Sequence, residues 1–241
     1  PRTIIERFKA YGTKVVQGWG MTETSPLGTV FSLKRDMDDL SDTEVVDLQC
    51  KQGRGVFGIE MRIVDDNNEP LPWDGIAFGA LKVRGPWVAS GYYGMSQVPG
   101  SEGCPVDEKG WFDTGDVATI DPNGFMQITD RTKDVIKSGG EWVSSIEIEN
   151  AAVSHPHIAE AAAIGRYHPK WTERPLLVAV LIPGVTLSSQ DIIDYLAPTL
   201  HKWSLPDDVV FVSELPHTAT GKLNKLALRV TFEDYQFPNI S

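Results

Sequence analysis

Gly18-Trp19-Gly20-Met21-Thr22-Glu23-Thr24-Ser25 sets hydroxyls and one carboxylate directly after a pair of turn-forming glycines. Backbone N–H groups and hydroxyls in such a turn can hold a phosphate, and a neighbouring carboxylate can hold Mg2+, which prefers hard oxygen ligands. The same residues equally suit a loop whose Thr and Ser satisfy backbone groups while Glu23 faces water. Gly110-Trp111-Phe112-Asp113-Thr114-Gly115-Asp116 places carboxylates beside glycines. That pattern can approach a sugar closely and accept hydrogen bonds from two vicinal hydroxyls. Its alternative is an aspartate capping a turn, with Trp111 and Phe112 in the core.

A third segment, from Arg131 to Glu141, gathers Arg131, Lys133 and Lys137 ahead of Gly139 and Gly140. Arg131 offers a fork of donors, and Lys137 is a mobile point charge. The glycines allow tight turning or close approach of a linear ligand. A solvated hinge or hairpin accounts for the same residues. Late in the chain, Lys222 follows Thr218-Ala219-Thr220-Gly221. A lysine on such a loop can enter a cleft and neutralise a transferring group, although a lone surface lysine is most often a solubility charge. His155 and His157 lack a third ligand at metal-binding spacing and read as turn residues. No serine sits in a Gly-x-Ser-x-Gly elbow. Gly91-Tyr92-Tyr93-Gly94 reads as a packing turn, because no basic groove accompanies it.

The elements that must position these groups divide into two pieces. Ile4, Ile5 and Phe8 predict a short amphipathic helix. Lys14–Gln17 predicts a strand running into Gly18, and residues 31–52 predict a helix or loop. Short β runs follow at Gly58–Val64, Ala80–Arg84, Val117–Ile120 and Phe125–Thr129. Asp65-Asp66-Asn67-Asn68 and Asp121-Pro122-Asn123-Gly124 mark turns between them. Beyond a boundary expected at Asp130–Asp134, helix and strand alternate. Ser144 with Glu147, and Ser188 with Asp191, carry capping-box spacing, and Pro198 predicts a stop near Ala197. Ala159–Ile164, Leu177–Ile182 and Val209–Val212 read as strands, and Lys225–Val230 opens a last helix. The expected fold is α+β, with residues 1–130 giving a β-rich, barrel-like subdomain and residues 131–241 a small domain.

Across 241 residues, Lys plus Arg number 22 against 33 Asp plus Glu, for a net charge of −11. That balance disfavours nucleic acid but permits an anionic nucleotide at a local cluster of cations. Cys50 and Cys104 form neither a zinc pattern nor a disulfide framework, which favours a reducing, cytoplasmic setting. No apolar stretch is long enough for a transmembrane segment, and the first ten residues lack a signal-peptide core. Self-association as a homo-oligomer is left open.

Taken in order, these segments resemble the motifs of adenylate-forming enzymes, the AMP-dependent synthetases and ligases. Gly18–Ser25 is similar to their phosphate- and magnesium-binding segment. Lys82-Val83-Arg84-Gly85-Pro86 with Gly91-Tyr92-Tyr93, then Trp111–Asp116, then Arg131–Glu141 with Val143 and Glu147–Glu149, and finally Thr220-Gly221-Lys222 match later motifs. The mixture is most similar to medium- and long-chain fatty acid-CoA ligases, including ligases of sulfur-containing propionates. The resemblance implies a C-terminal portion: a remnant of a larger α/β domain and a β-rich subdomain, hinged to a small mobile domain.

It also implies roles. Thr22 would touch the α-phosphate, and Glu23 would help hold Mg2+. Asp116 would bind ribose hydroxyls of ATP or AMP, supported by Arg131. Gly18, Trp19 and Gly20 would line the start of the acyl pocket. Lys133 would be the hinge. Lys222 would meet the carboxylic acid and phosphate during adenylation, whereas Lys137, Gly139 and Gly140 would face coenzyme A during thioester formation. Two departures matter. The family's lysine-ended phosphate loop precedes the Gly18 segment by a long interval and is not among the seventeen residues before it, so residues 1–241 alone are expected to have little or no ligase activity. Ala80 stands where many members carry Glu. An adenylating enzyme without CoA chemistry, a non-catalytic nucleotide-binding domain and a ligand-free interaction domain are the alternatives.

Overall fold

A computed structural model describes residues 2–219 and 221–238. Thr220 lies outside the described residues. The chain divides into two compact units, Pro1–Thr129 and Asp130–Ser241.

In the first unit, helix α1 (Arg2–Ala10) buries Ile5, while Ile4 and Phe8 stay half exposed. Strands β1 (Gly18–Trp19) and β2 (Thr29–Val30) flank a 3-10 turn at Thr22–Thr24. Helix α2 (Asp42–Gln49) opens on a capping box between Ser41 and Glu44, and β3 (Arg54–Gly55) follows. β1, β2 and β3 make a small antiparallel sheet. The strand predicted at Lys14–Gln17 is instead extended chain, because the register pairs Gly18 with Val30 and Trp19 with Thr29.

Strands β4 (Glu60–Val64), β5 (Phe78–Arg84), β6 (Phe112–Ile120) and β7 (Met126–Arg131) form an open sheet in sequential order. It does not close into a barrel. Alternate residues point to one face, so Met61, Ile63, Leu81, Val83, Phe112, Ala118, Ile120 and Met126 share one core, against which Trp19 and Met21 pack. The predicted turns are present: Asp65 accepts from Asn67 and Glu69 N–H, and Asp121 from Asn123 and Phe125 N–H.

The second unit contains β8 (Ile136–Ser138), β9 (Glu141–Val143), helix α3 (Ser145–Val153), long strands β10 (Ile158–His168) and β11 (Thr172–Leu181), helix α4 (Ser189–Leu196), β12 (Asp208–Phe211) and helix α5 (Lys225–Thr231). The sheet order is β10-β11-β8-β9, with β12 parallel to β11. The period of two in β11 serves both faces: Leu177 and Ala179 meet α3 and α4 through Ile148, Ala152, Ile192 and Leu196. Leu176 and Val178 meet Leu228 of α5, with Leu215 and Phe237. Ser188 and Asp191 form the predicted reciprocal cap, and α4 ends at Ala197 ahead of Pro198. No helix among the described residues is long and apolar enough to cross a membrane.

Candidate functional site

The Gly18 and Gly110 segments come together in the first unit. Between β1 and β2, the Thr24 hydroxyl accepts from Met21 N–H at 2.9 Å and lies within donating distance of Met21 O and Pro26 O. This buried hydroxyl locks the 3-10 turn and turns Thr22 and Glu23 away from the core, with Thr22 exposed and Glu23 half-buried. The turn is too tight for a side chain at Gly20, where a Cβ would come within 1.8 Å of Pro26 O.

Asp116 is aimed by a bulge in β6. Asp113 pairs with Lys82 and Val117 with Ala80, so three residues of β6 oppose Leu81 alone. Such an insertion kinks a strand and re-aims a side chain, here with Gly115 at φ +70°. The Thr114 hydroxyl stitches the bulge by donating to Leu81 O at 2.7 Å and accepting from Asp116 N–H at 3.1 Å. The Asp116 carboxylate, 4% exposed, accepts the Trp19 indole N–H at 2.8 Å. Trp19 thus joins the two segments. Phe112 is core, whereas Trp111 is half-buried, with the guanidinium groups of Arg62 and Arg84 at 4.4 and 4.7 Å from its ring centroid.

Tyr92, expected only to pack, does more. Its ring meets Phe112 edge-on, and its hydroxyl donates to Glu23 Oε1 at 2.7 Å. That hydrogen bond, helped by burial and by the Glu23 charge, pushes the Tyr92 hydroxyl up to about 12. The glycine-flanked tyrosine pair was the available signal, but sequence spacing does not show which carboxylate the hydroxyl reaches.

The donor set suits a shared cation more than an all-protein metal cage. Among the described residues no cluster of three or more His, Cys, Asp or Glu is placed to hold a metal. Mg2+ commonly takes one or two carboxylates and completes its shell with phosphate oxygens and water. Glu23 beside the exposed Thr22 fits that pattern.

Arg131, the last residue of β7, opens a turn that carries Lys133 and is closed by Asp134 and Val135 N–H donating to Arg131 O at 2.8 and 2.9 Å. Lys133 is exposed. Further on, in the second unit, Lys137 holds its ammonium 4.9 Å from the Trp142 ring centroid, and its backbone N–H donates to Glu173. Gly139 has φ +59° and lies beneath two indoles; a Cβ there would sit 2.8 Å from Trp171 and 3.3 Å from Trp203. Those rings meet edge-to-face at 5.0 Å, with Lys170 over Trp171 and Arg174 over Trp203. Sequence reading missed Trp171 and Trp203, because they lie far along the chain from Gly139. The buried Arg174 fastens this corner through Ser138, Asp207 and the carbonyls of Trp203 and Leu205.

Lys222 lies elsewhere in the same unit. Thr218 N–H donates to Lys222 O at 2.7 Å and Gly221 N–H to Thr218 O at 2.9 Å, leaving the Lys222 side chain exposed on a tight turn.

Two family models match this chain: AMP-binding enzyme over residues 1–93 and AMP-binding enzyme C-terminal domain over residues 147–222. The chain is 48% identical over 235 residues to a 3-methylmercaptopropionyl-CoA ligase of Ruegeria lacuscaerulensis, covering 97% of this chain and 42% of that protein. It is 46% identical to a medium-chain-fatty-acid–CoA ligase of Ectopseudomonas oleovorans, with the same coverage of 97% and 42%. ATP-bound MatB from Rhodopseudomonas palustris superimposes with a TM-score of 0.76 at 30% identity, over 97% of this chain and 44% of that one. The chain therefore spans under half the length of the relatives it matches.

Proposed function

Because this chain belongs to the AMP-binding enzyme family, we propose that it supplies the C-terminal portion of a cytoplasmic, AMP-forming acyl-CoA ligase acting on fatty or related carboxylic acids. The observation that carries this reading is the Trp19–Asp116 hydrogen bond at 2.8 Å, which unites a phosphate-type turn with a ribose-type carboxylate.

In the first half-reaction a substrate carboxylate oxygen attacks the α-phosphorus of ATP, and the bond to pyrophosphate breaks. Two anions must meet. Thr22 offers a hydroxyl to the α-phosphate, Asp116 accepts from the ribose hydroxyls with Arg131 in support, and the Lys222 ammonium offsets charge on the transferring oxygens. Mg2+ held at Glu23 would supply further charge neutralisation. Gly18, Trp19 and Gly20 border the acyl group.

In the second half-reaction the CoA thiolate attacks the acyl carbonyl, and AMP leaves with the former carboxylate oxygen. Lys137, Gly139 and Gly140 form the face for coenzyme A. Trp171 and Trp203 add flat apolar surface there, and Lys170 adds a cation. Lys222 and the Gly139 corner occupy separate parts of one unit, so a turn at Lys133 would exchange one for the other.

The test is the full-length protein with ATP, CoA and a panel of fatty acids. Lys222→Ala is expected to slow acyl-adenylate formation by about a hundredfold or more while leaving thioester formation from supplied acyl-adenylate intact. A full-length protein that never forms an acyl-adenylate rejects the reading. Residues 1–241 alone are expected to turn over little or no acid, since the family's lysine-ended phosphate loop is not among them.

A further inference from the structure

We propose that Lys225 and Arg229 are positioning residues for Lys222, fastening the helix that follows the Lys222 turn to the body of the unit beside Lys133. This rests on the adenylation role of Lys222 and the hinge role of Lys133 given above.

The connection can be followed bond by bond. Lys222 is joined to α5 through Asn224, whose side chain caps the helix by accepting from Ala227 N–H at 3.1 Å. Asn224 N–H donates to Pro216 O at 2.8 Å, and His217 bridges Leu223, so turn and helix start form one piece. Lys225 and Arg229 are four residues apart and project from one side of α5. The Lys225 ammonium donates to Ser145 Oγ at 2.6 Å and pairs with Glu149 at 2.7 Å, both on α3. Glu149 also accepts Ala163 N–H of β10 at 2.8 Å. Arg229 pairs with Asp134 at 2.8 Å, one residue past Lys133, and its carbonyl accepts from Arg166 at 2.9 Å. One helix is thus tied at one end to the central helix and sheet, and at the other to the residue adjoining the hinge.

Stability alone is a poor reason for this arrangement. Lys225 and Glu149 are 10% and 16% exposed, and a buried ion pair often stabilises no more than apolar residues of similar volume. What charged pairs with fixed partners add is a defined register. The need lies in the Lys222 side chain, which is exposed on a turn and has a flexible stem. Placement of a reacting group is sensitive, a displacement of about 1 Å costing on the order of a hundredfold in rate. A helix free to slide on α3 would let Lys222 lag behind a rotation at Lys133. The two clamps make it travel with the unit.

The experiment uses the full-length protein and separates the half-reactions. Wild-type acyl-adenylate formation is measured first; its absence overturns the functional reading, and the positioning role with it. Lys225→Met is then expected to slow acyl-adenylate formation by about tenfold or more at nearly unchanged KM for ATP. Thioester formation from supplied acyl-adenylate and CoA should stay within about twofold, and Lys225→Arg should restore most of the first rate. Should Lys225→Met not fold, Arg229→Gln carries the same test, with an expected loss of about three- to tenfold confined to the first half-reaction. Equal losses in both half-reactions, loss confined to the second, or no loss in either overturns the positioning role.

Discussion

The indole of Trp19 donates to the carboxylate of Asp116 across 97 positions of sequence. One bond therefore fixes the relation between the strand that precedes the Thr22 turn and the bulged strand that carries Asp116. Trp19→Phe keeps the apolar packing but removes the donor from a buried carboxylate. Hydrogen bonds to charged groups contribute about 1.5–3 kcal/mol, so urea unfolding of the variant should show a loss in that range. AMP affinity of the full-length protein should fall with it. A loss below about 0.5 kcal/mol, the scale of an ordinary surface change, rejects the bond as a structural link.

Glu149 gives the second unit a distinct pH response. Burial raises its carboxyl above the ordinary 4.5, against the opposing pull of Lys225 and of Ala163 N–H, and the nearby Asp130 adds to the rise. The folded state therefore holds this proton more tightly than the unfolded state. The resulting stabilisation is fully present below 4.5 and is lost as pH rises through the raised value. Unfolding free energies of wild type and Glu149→Gln are compared at pH about 4 and about 7. Wild type minus variant should be larger at the lower pH; an equal or reversed difference rejects the assignment.

Much of this architecture can be read from local pattern. Ser188 and Asp191 announce α4, Pro198 its end, and continuous apolar runs the centres of both long strands, because each signal acts within a few residues. The strands and turns of the first unit's sheet follow from short runs and Asp-Asn turns, whereas its open edge, in place of the expected barrel-like closure, depends on pairing between strands. The site is less legible. Asp113-Thr114-Gly115-Asp116 has the composition of a turn, yet it lies within β6, since pairing with β5 overrides local preference and absorbs the glycine as a bulge. Lys14–Gln17 has strand composition but lies beside the short strand, because partners, not propensity, decide where a ladder forms. Tyr92 on Glu23, and Trp171 with Trp203 over Gly139, are contacts between distant positions that no spacing rule reports.

Gly139 and Gly140 both adopt positive φ, at +59° and +90°, but differ in surroundings. A methyl at Gly139 meets Trp171 at 2.8 Å, whereas nothing lies within 4 Å at Gly140. Gly140→Ala should cost only the backbone strain of about 1–3 kcal/mol. Gly139→Ala should cost more and should displace the paired indoles, altering near-ultraviolet circular dichroism. Identical spectra for the two variants reject the close packing described for that corner.

Thr24 is the lock on the turn that presents Thr22 and Glu23. It is fully buried, and its hydroxyl accepts from Met21 N–H at 2.9 Å while reaching the carbonyls of Met21 and Pro26. Thr24→Val keeps the shape and withdraws the hydroxyl, leaving those backbone groups to lose a partner. An unsatisfied buried polar group costs about 1–3 kcal/mol, and part of that loss can be relieved only by opening the turn. Opening moves Glu23 away from the Tyr92 hydroxyl, which holds it at 2.7 Å. The variant should therefore lose stability in urea and, in the full-length protein, need a higher Mg2+ concentration for half-maximal acyl-adenylate formation. Thr24→Ser, which keeps the hydroxyl, should recover most of both. If Thr24→Val and Thr24→Ser respond alike to Mg2+, the hydroxyl does not set the position of Glu23.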